Sequence, residues 1–550
     1  MPKIRFLSRH VTTGAIGAAA VLAGLAALPS ASVAKTNQIA MIQDGSDLIS
    51  PQATFQEFRA LGANTVRIIV NWNTTLSSAA QLSKTKPAGF NASDPNASQY
   101  TGWGPYDAAV NAAKQYGMKV DFTVTGGAPR WAEGKDIPAE GVKEQSFAWK
   151  PDPTAYGQFM TAVATRYDGS FKPKGESTAL PKVSFWVIYN EPNFGQDLGP
   201  QATNTSRTLL GASLYRGIVD AGWKALQAPK LHHAHDTILI GELAARGFYL
   251  SNGKHSSSAP QGFPGNYGQT RALYFLRSLY CIGTNGKPLS GKAATTVSCP
   301  TSSKGFRNAH PGLFKASGFG DHPYPTNGTP LTDGKTTDYA TFPELGNLAA
   351  TLDKANKAYG SSKKYPIYND EYGYITNPPN GGPPGYVSPA KAADYINWAE
   401  YLSWKNPRVA SYMQYLLEDP PNNRGPYSGF ASGLEFNTGK HKATYDAYRL
   451  PVYMPKTSVK KGVAAEVWGA ARPAPFLTRD GAQSIAIQVN GKTVQTVKPG
   501  KSGGYFDAKV KFTSGGTVRL AYTYPKSDSL LPMSDLGTTV HSRSFTISVH

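Results

Sequence analysis

The sequence predicts an α/β fold, a (β/α)₈ barrel followed by a small C-terminal all-β sandwich. Three observations predict it. A helix-then-strand unit recurs across residues 35–452. The strands of that unit are continuous β-branched runs, the pattern of parallel strands covered on both faces. Beyond Leu450-Pro451 the pattern changes to short strands punctuated by Gly, Asp and Asn.

The start of the chain stands apart from the fold. Lys3, Arg5 and Arg9 precede an Ala-rich apolar run over residues 11–28, and Ser32-Val33-Ala34 offers small residues at the spacing a signal peptidase reads. Residues 1–34 are therefore expected to be a secretory signal peptide, with cleavage after Ala34. No Arg-Arg pair is present, which favours general secretion over twin-arginine export. No later stretch is apolar enough to span a bilayer, so a secreted, extracellular protein without a transmembrane segment is expected.

The barrel elements follow in order. Residues 39–42 form the first strand. Ser50-Pro51 reads as an N-cap with proline in the first turn; Phe55, Phe58 and Leu61 recur at helical spacing, and Gly62 ends the helix. Residues 64–70 make the second strand. Helix 106–116 leads to strand 119–125, helix 153–167 to strand 183–189, and helix 207–226 to strand 237–243. Helix 271–280 leads, after a cysteine loop, to strand 316–322. Helices 343–359 and 389–404 precede strands 365–369 and 409–416, and helix 442–448 closes the series. Eight units over this length imply a closed barrel with long loops rather than an open sheet. No Gly-x-Gly-x-x-Gly follows the first strand, against a nucleotide fold. The Gly-rich stretch at 381–385 and the Pro-rich stretch at 419–426 read as barrel loops. Residues 464–468, 484–489, 493–497, 505–512, 517–524 and 542–549 read as the strands of a sandwich over residues 453–550. That domain could bind carbohydrate or brace the barrel, and bracing is favoured.

The composition narrows the partners. The formal charge is +20, but the cations are scattered and no basic run interleaves with aromatics, so no nucleic acid is expected. The bland reading is a monomeric exported protein able to associate electrostatically with anionic cell walls. Nine Trp and thirty Tyr suit stacking on sugar rings as well as an ordinary core. Cys281 and Cys299 are the two cysteines. In an exported chain they read as one disulfide closing a short loop, worth roughly 3 kcal/mol, and they are too few for a zinc knuckle.

In a (β/α)₈ barrel, chemistry sits at the C-terminal ends of the strands. Strand two ends with Arg67 and Asn71-Trp72; strand three leads to Arg130-Trp131. Strand four ends in Trp186-Val-Ile-Tyr-Asn-Glu-Pro-Asn193, strand six in Asp321-His322-Pro323-Tyr324, and strand seven in Asn369-Asp370-Glu371. Two carboxylates on separate strands, ringed by Arg, Asn, His and Tyr, suit cleavage of a glycosidic bond. An oxocarbenium-like transition state needs a negative group below the anomeric carbon and a proton donor beside the departing oxygen. One carboxyl must stay protonated near neutral pH while a neighbouring cation keeps the other charged. Glu191 is assigned as acid/base and Glu371 as nucleophile. Arg67 and Tyr324 are expected to keep Glu371 ionised and aimed, Asn190 to hold a sugar 2-hydroxyl, and His322, Trp72 and Trp131 to line the sugar subsite. An Arg on an apolar strand demands a buried partner. Glu242 ends strand five and reads equally as a third site carboxylate or an ion-pair member. Asp321 reads as structural, bonding a neighbouring loop.

His232-His233 and His235 lie in the loop before strand five, at the wrong end of the barrel for catalysis and with one acid, Asp236, beside them. No metal site and no cofactor are expected. No Gly-x-Ser-x-Gly elbow marks a serine hydrolase.

The Asn-Glu-Pro at the end of strand four, with a Glu ending strand seven, resembles the clan of retaining TIM-barrel glycoside hydrolases that includes the cellulase-like and β-xylosidase-like families. The matching runs are residues 64–72, 186–193, 321–324 and 367–373, and residues 433–451 resemble the last barrel helix of secreted bacterial members. The resemblance covers roughly residues 38–451. It implies hydrolysis of a carbohydrate substrate through a covalent glycosyl-enzyme with net retention. It also supports Glu371 over Asp370, since alternation along a strand should turn only one of them to the axis. Many cellulase-like members carry a Trp at the end of strand eight; here Tyr415 or Gln414 stands in its place. The alternative is a carbohydrate-binding protein that kept the barrel and lost catalysis.

Overall fold

The computed structural model describes residues 38–550, except 140–146, 203–207, 248–264, 326–327, 333–337, 377–385, 422–429, 473–483 and 501–502. The expected signal peptide, the start of the helix at 207, the Gly-rich stretch and most of the Pro-rich stretch lie outside the described residues.

Eight parallel strands close on themselves in chain order: β1 (Ile39–Gln43), β2 (Thr65–Asn71), β3 (Lys119–Thr125), β4 (Phe185–Ile188), β5 (Thr237–Ala244), β6 (Gly318–His322), β7 (Ile367–Asn369) and β8 (Val409–Tyr415). β1 pairs with both β2 and β8, which seals the barrel. The principal helices around it are α1 (Pro51–Ala60), α2 (Gly104–Gln115), α3 (Pro153–Arg166), α4 (Gly211–Leu226), α5 (Ala272–Leu279), α6 (Leu345–Ala358), α7 (Pro389–Lys405) and α8 (Ala443–Arg449). Proline opens α1, α3 and α7, where its missing N–H costs nothing. Asp152 and Ser388 cap α3 and α7 through their side chains, whereas Ser50 makes no such bond. No helix among the described residues is long and apolar enough to cross a membrane.

Period-two alternation sorts the strand side chains into two sets. Val66, Ile68 and Val70 of β2, Phe122 and Val124 of β3, and Trp186 and Ile188 of β4 face the helices in one continuous core. Met41, Phe185, Val187, Leu239 and Met413 fill the barrel interior. The other interior positions are polar: Arg67, Asp121, Thr123, Glu242 and His322 are all fully buried. The barrel is thus apolar at one level and densely charged at another.

One irregularity is decisive. Strict alternation along β5 would turn Glu242 outward. The β5–β6 register shifts between Ile240 and Leu243, and Gly241 adopts φ 106°. The bulge turns Glu242 inward. A Cβ at Gly241 would lie 2.6 Å from the Phe319 ring, so glycine is required there on two counts.

The C-terminal region forms two sheets. β10 (Ser458–Val459), β17 (Phe545–Val549), β15 (Gly516–Thr523), β12 (Ile485–Val489) and β13 (Lys492–Val497) make one, with β16 (Thr539–His541) on β15. β14 (Tyr505–Lys511), β11 (Ala464–Ala470) and β9 (Val452–Tyr453) make the other. Val467, Ile487, Val510, Val518, Leu520 and Ile547 pack between them. The region is bonded to the barrel. Arg472 pairs with Glu400 of α7, Arg543 bonds Asn397 of α7, and Tyr524 donates to the Ala60 carbonyl of α1. Cys281 and Cys299 are joined in a disulfide with Cα atoms 5.7 Å apart.

Candidate active site

The site grows from Arg67. Its position inside the barrel strips the guanidinium of water, so every donor must find a protein acceptor. Nη1 donates to Glu371 Oε2 and Gln43 Oε1, both at 2.8 Å. Nη2 donates to Glu242 Oε2 and Asn190 Oδ1, both at 2.8 Å. Nε donates to Glu242 Oε1 at 3.2 Å and to Thr123 Oγ1 at 3.1 Å. One cation therefore ties strands β1 and β3, the last residue of β5's bulge, and the segments that follow β4 and β7.

Glu371 follows β7 and is bonded at both carboxylate oxygens. Tyr324 OH donates to its Oε1 at 2.9 Å, opposite the Arg67 bond to Oε2. Burial pushes its pKa up, but the charges of His322 and Arg67 and the bonds from Tyr324 and Arg67 outweigh it and hold the carboxyl below its ordinary value. Glu191 follows β4 on a segment with left-handed backbone at both Tyr189 (φ 76°) and Glu191 (φ 37°). Each such residue costs about 1–3 kcal/mol and persists where its surroundings hold it. His322 Nδ1 lies 2.8 Å from Glu191 Oε1 and 3.6 Å from Glu371 Oε2. Burial lowers the His322 pKa, but Glu371 and Glu191 overcome that and raise it above the ordinary histidine value. One oxygen each of Glu191 and Glu371 lies within 4.8 Å of the other.

Both carboxylates open on a cavity of about 670 Å³, lined also by Phe194, Arg246, Gln269, Tyr324, Tyr415 and Phe430. That is the size range of a small-molecule site. Tyr415 faces it while Gln414 is buried, bonding the carbonyls of Leu416 and Ser432. Alternation explains the choice: Tyr415 continues the inward series of Ser411 and Met413.

Arg67, Asn190, Glu191, His322, Tyr324 and Glu371 thus converge as the sequence suggested, and Glu242 joins them as the partner of Arg67. Four expectations change. Trp72 is fully buried behind the strands, stacked on Phe159 at 5.6 Å, and lines no sugar subsite. Trp131 packs edge-on against Trp72 at 6.1 Å and Phe90 at 5.9 Å, and is absent from the cavity lining. Trp72 is aromatic core, and Trp131 is half-buried against it. Asp321 bonds no loop among the described residues: both its side-chain oxygens are buried without a partner there. Asp370 and Glu371 do not exclude each other, because β7 ends at Asn369 and alternation ends with it. Asp370 is fully buried, accepts from the Asp321 N–H at 3.1 Å and lies 3.7 Å from His322 Nε2.

Further buried acids surround the site. Asp121, Asp321 and Asp370 are each pushed well above the ordinary carboxylate range, first by burial, then by Glu242 for Asp121 and Asp370 and by Glu344 for Asp321. Gly320 makes room for these acids, since a Cβ there would meet Asp370 Oδ2 at 2.4 Å and Glu242 Cγ at 2.8 Å. Two triplets in this region, Glu191–His322–Glu371 and Glu242–His322–Asp370, have the donor types and spacing for a metal, as does Glu57–Glu435–His441 elsewhere. In the first two, Arg67 already bonds Glu371 and Glu242. His233 uses both ring nitrogens structurally, on Asp236 and the Ala164 carbonyl.

Fold and site together define a (β/α)₈ barrel with a paired-carboxylate centre at its strand ends. No protein-family model matches the sequence, and no curated protein matches it. Among solved structures the chain is similar to a glucosidase from Croceicoccus marinus (13% identity over 90% of this chain and 77% of that one, TM-score 0.44). It is also similar to a β-glucosidase from Exiguobacterium marinum (13% identity, 73% and 86%, TM-score 0.44). A third likeness is to the endo-β-1,4-mannanase from Thermotoga petrophila (12% identity, 94% and 98%, TM-score 0.37).

Proposed function

We propose that this protein is a secreted retaining glycoside hydrolase that cleaves O-glycosidic bonds in a polysaccharide or oligosaccharide by double displacement. The observation that carries the reading is that an oxygen of Glu191 and an oxygen of Glu371 lie within 4.8 Å of each other in one cavity. Retaining enzymes hold their carboxyl groups about 5–5.5 Å apart, whereas inverting enzymes leave about 6.5–9.5 Å for a water.

The roles follow from the contacts. Glu371, kept ionised by Arg67 and aimed by Tyr324, attacks the anomeric carbon and forms a glycosyl ester. Glu191 gives its proton to the departing oxygen, then takes one from the water that hydrolyses the ester. His322 Nδ1 positions Glu191. Arg67 holds the Asn190 carbonyl oxygen, which leaves the Asn190 amide N–H₂ to donate to a sugar hydroxyl. The basic, apolar and small-residue pattern of residues 1–34, with a disulfide in the barrel, supports export.

The test is hydrolysis of a panel of aryl glycosides and polysaccharides, with the anomer of the first product read by NMR. The retained anomer is expected; the inverted anomer would overturn the double displacement. Sugar binding without any hydrolysis would point to a binding protein. Sequencing the mature N-terminus tests export, with Lys35 expected first.

A further inference from the structure

The cavity holds a cation that the two-carboxylate chemistry does not use. Arg246 stands two residues beyond the end of β5 and lines the same cavity as Glu191 and Glu371. Its one hydrogen bond among the described residues runs from Nη2 to the Tyr324 carbonyl at 3.0 Å. It forms no ion pair among them. Burial lowers its pKa, opposed by Tyr339 and Glu344, and Glu344 is committed to capping, accepting from Thr341 N–H and Oγ1 at 3.1 and 2.7 Å. Arg216 also lacks an ion pair, but it spends its donors on the buried carbonyls of Ser278 and Leu279. The remaining donors of Arg246 are not among the buried unpartnered atoms, and the residue lines the cavity.

A half-buried guanidinium beside two carboxylates, without a carboxylate of its own, is a binding group awaiting an anion. The same carboxylates would repel an anionic ligand, so a charged substrate needs such a counter-charge within the cavity. The formal charge of the chain, +20, acts in the same direction by drawing polyanions to the surface.

We propose that Arg246 selects an anionic sugar, so that the cavity takes a glycoside bearing a uronate carboxylate or a sulfate ester and the substrate is an acidic glycan. This rests on reading the Glu191–Glu371 cavity as a glycosidase site, and it goes further by naming the substrate class.

The experiment has two arms. The first compares matched aryl glycosides that differ only at C6, as the neutral alcohol, the uronate and the 6-sulfate, across several sugar configurations. One charged form should exceed its neutral counterpart by about 100-fold in kcat/KM, the scale of a charge-assisted hydrogen bond. Arg246→Gln should bring that ratio close to one, Arg246→Lys should retain part of it, and added salt should reduce it. Which charged form wins identifies the source of the anion. The second arm titrates folded Glu371→Gln with uronate, sulfated and neutral oligosaccharides by calorimetry, with and without Arg246→Gln. Binding of an acidic oligosaccharide that depends on Arg246 is expected. A neutral preference, or a ratio that Arg246→Gln and Arg246→Lys leave unchanged, overturns the proposal. Acidic sugars that bind through Arg246 but are never hydrolysed would sink the glycosidase reading and leave this one standing.

Discussion

Arg67 and Arg472 are both buried in ion pairs with glutamate, and the two arrangements are built differently. Arg472 and Glu400 join the sandwich to α7, each side chain 1% exposed. Arg472 Nη1 also donates to the Tyr448 carbonyl at 2.6 Å, and Tyr505 OH donates to Glu400 Oε1 at 2.8 Å. Gln38 in turn donates to Tyr505 OH at 3.2 Å. That network pairs its charge within itself. Arg67 instead serves Glu242 and Glu371 at once, and its charge reaches Asp121 and Asp370, which keep unpartnered oxygens. The first arrangement has no surplus to offer a ligand. The second carries more carboxyl groups than its cations pair, and strained backbone at Glu191 and Glu242 (φ 37° and 44°), held in place by the barrel. A buried ion pair by itself says little about function; the unbalanced one marks the site.

The contrast can be broken at either end. The largest effect is expected at the unbalanced pair: Glu371→Gln should cut kcat on the order of 10⁴-fold, the scale of losing a nucleophile, without unfolding the chain. Retained turnover would remove Glu371 from the mechanism. Glu191→Ala should cost about 10²–10⁴-fold, and less with a leaving group that departs without a proton; an equal loss for both leaving groups would argue against an acid role. Because Glu371 must be ionised to attack and its pKa is held below the ordinary glutamate value by His322 and Arg67, the acid limb of kcat/KM should fall at a pH below that ordinary value.

At the balanced pair, Arg472→Ala should destabilise the protein by about 3–5 kcal/mol, because it strands a buried carboxylate. Denaturant unfolding reads that loss, and kcat/KM of the folded fraction should not change. The smallest effect is expected at Asp121. Its folded pKa is raised well above 3.8, so the folded state holds a proton that the unfolded state releases above pH 3.8. Stability from this group is greatest at low pH and is lost as pH rises from 3.8 toward the folded pKa. Asp121→Asn should therefore raise stability at pH 7 by about 1–3 kcal/mol and flatten its pH dependence. Lower stability at pH 7 would mean that Asp121 is charged and paired.

Much of this was legible in the sequence because parallel barrels write their pattern plainly. Each buried strand is an apolar run, and the strand-end rule then points to Arg67, Asn190, Glu191, His322, Tyr324 and Glu371. What escaped depended on geometry that composition does not carry. The inward turn of Glu242 comes from a bulge at Gly241, which reads in sequence as any strand glycine. Trp72 follows a strand-end residue, yet it turns into the helix layer, where its ring packs on Phe159. Asp370 was set against Glu371 on the assumption that β7 continued through both. Arg246 stood at a strand end like the others, and the same rule could have found it. Its significance is the lack of an acid partner, which only the contacts reveal.

The most direct test of the two-carboxylate account is covalent trapping. A 2-deoxy-2-fluoro glycoside matching the best substrate should inactivate the enzyme with a mass gain of one sugar, and peptide mapping should place that sugar on Glu371. A label on Asp370 or Glu191, or substrate turnover with an inverted product and no trapped sugar, would contradict it.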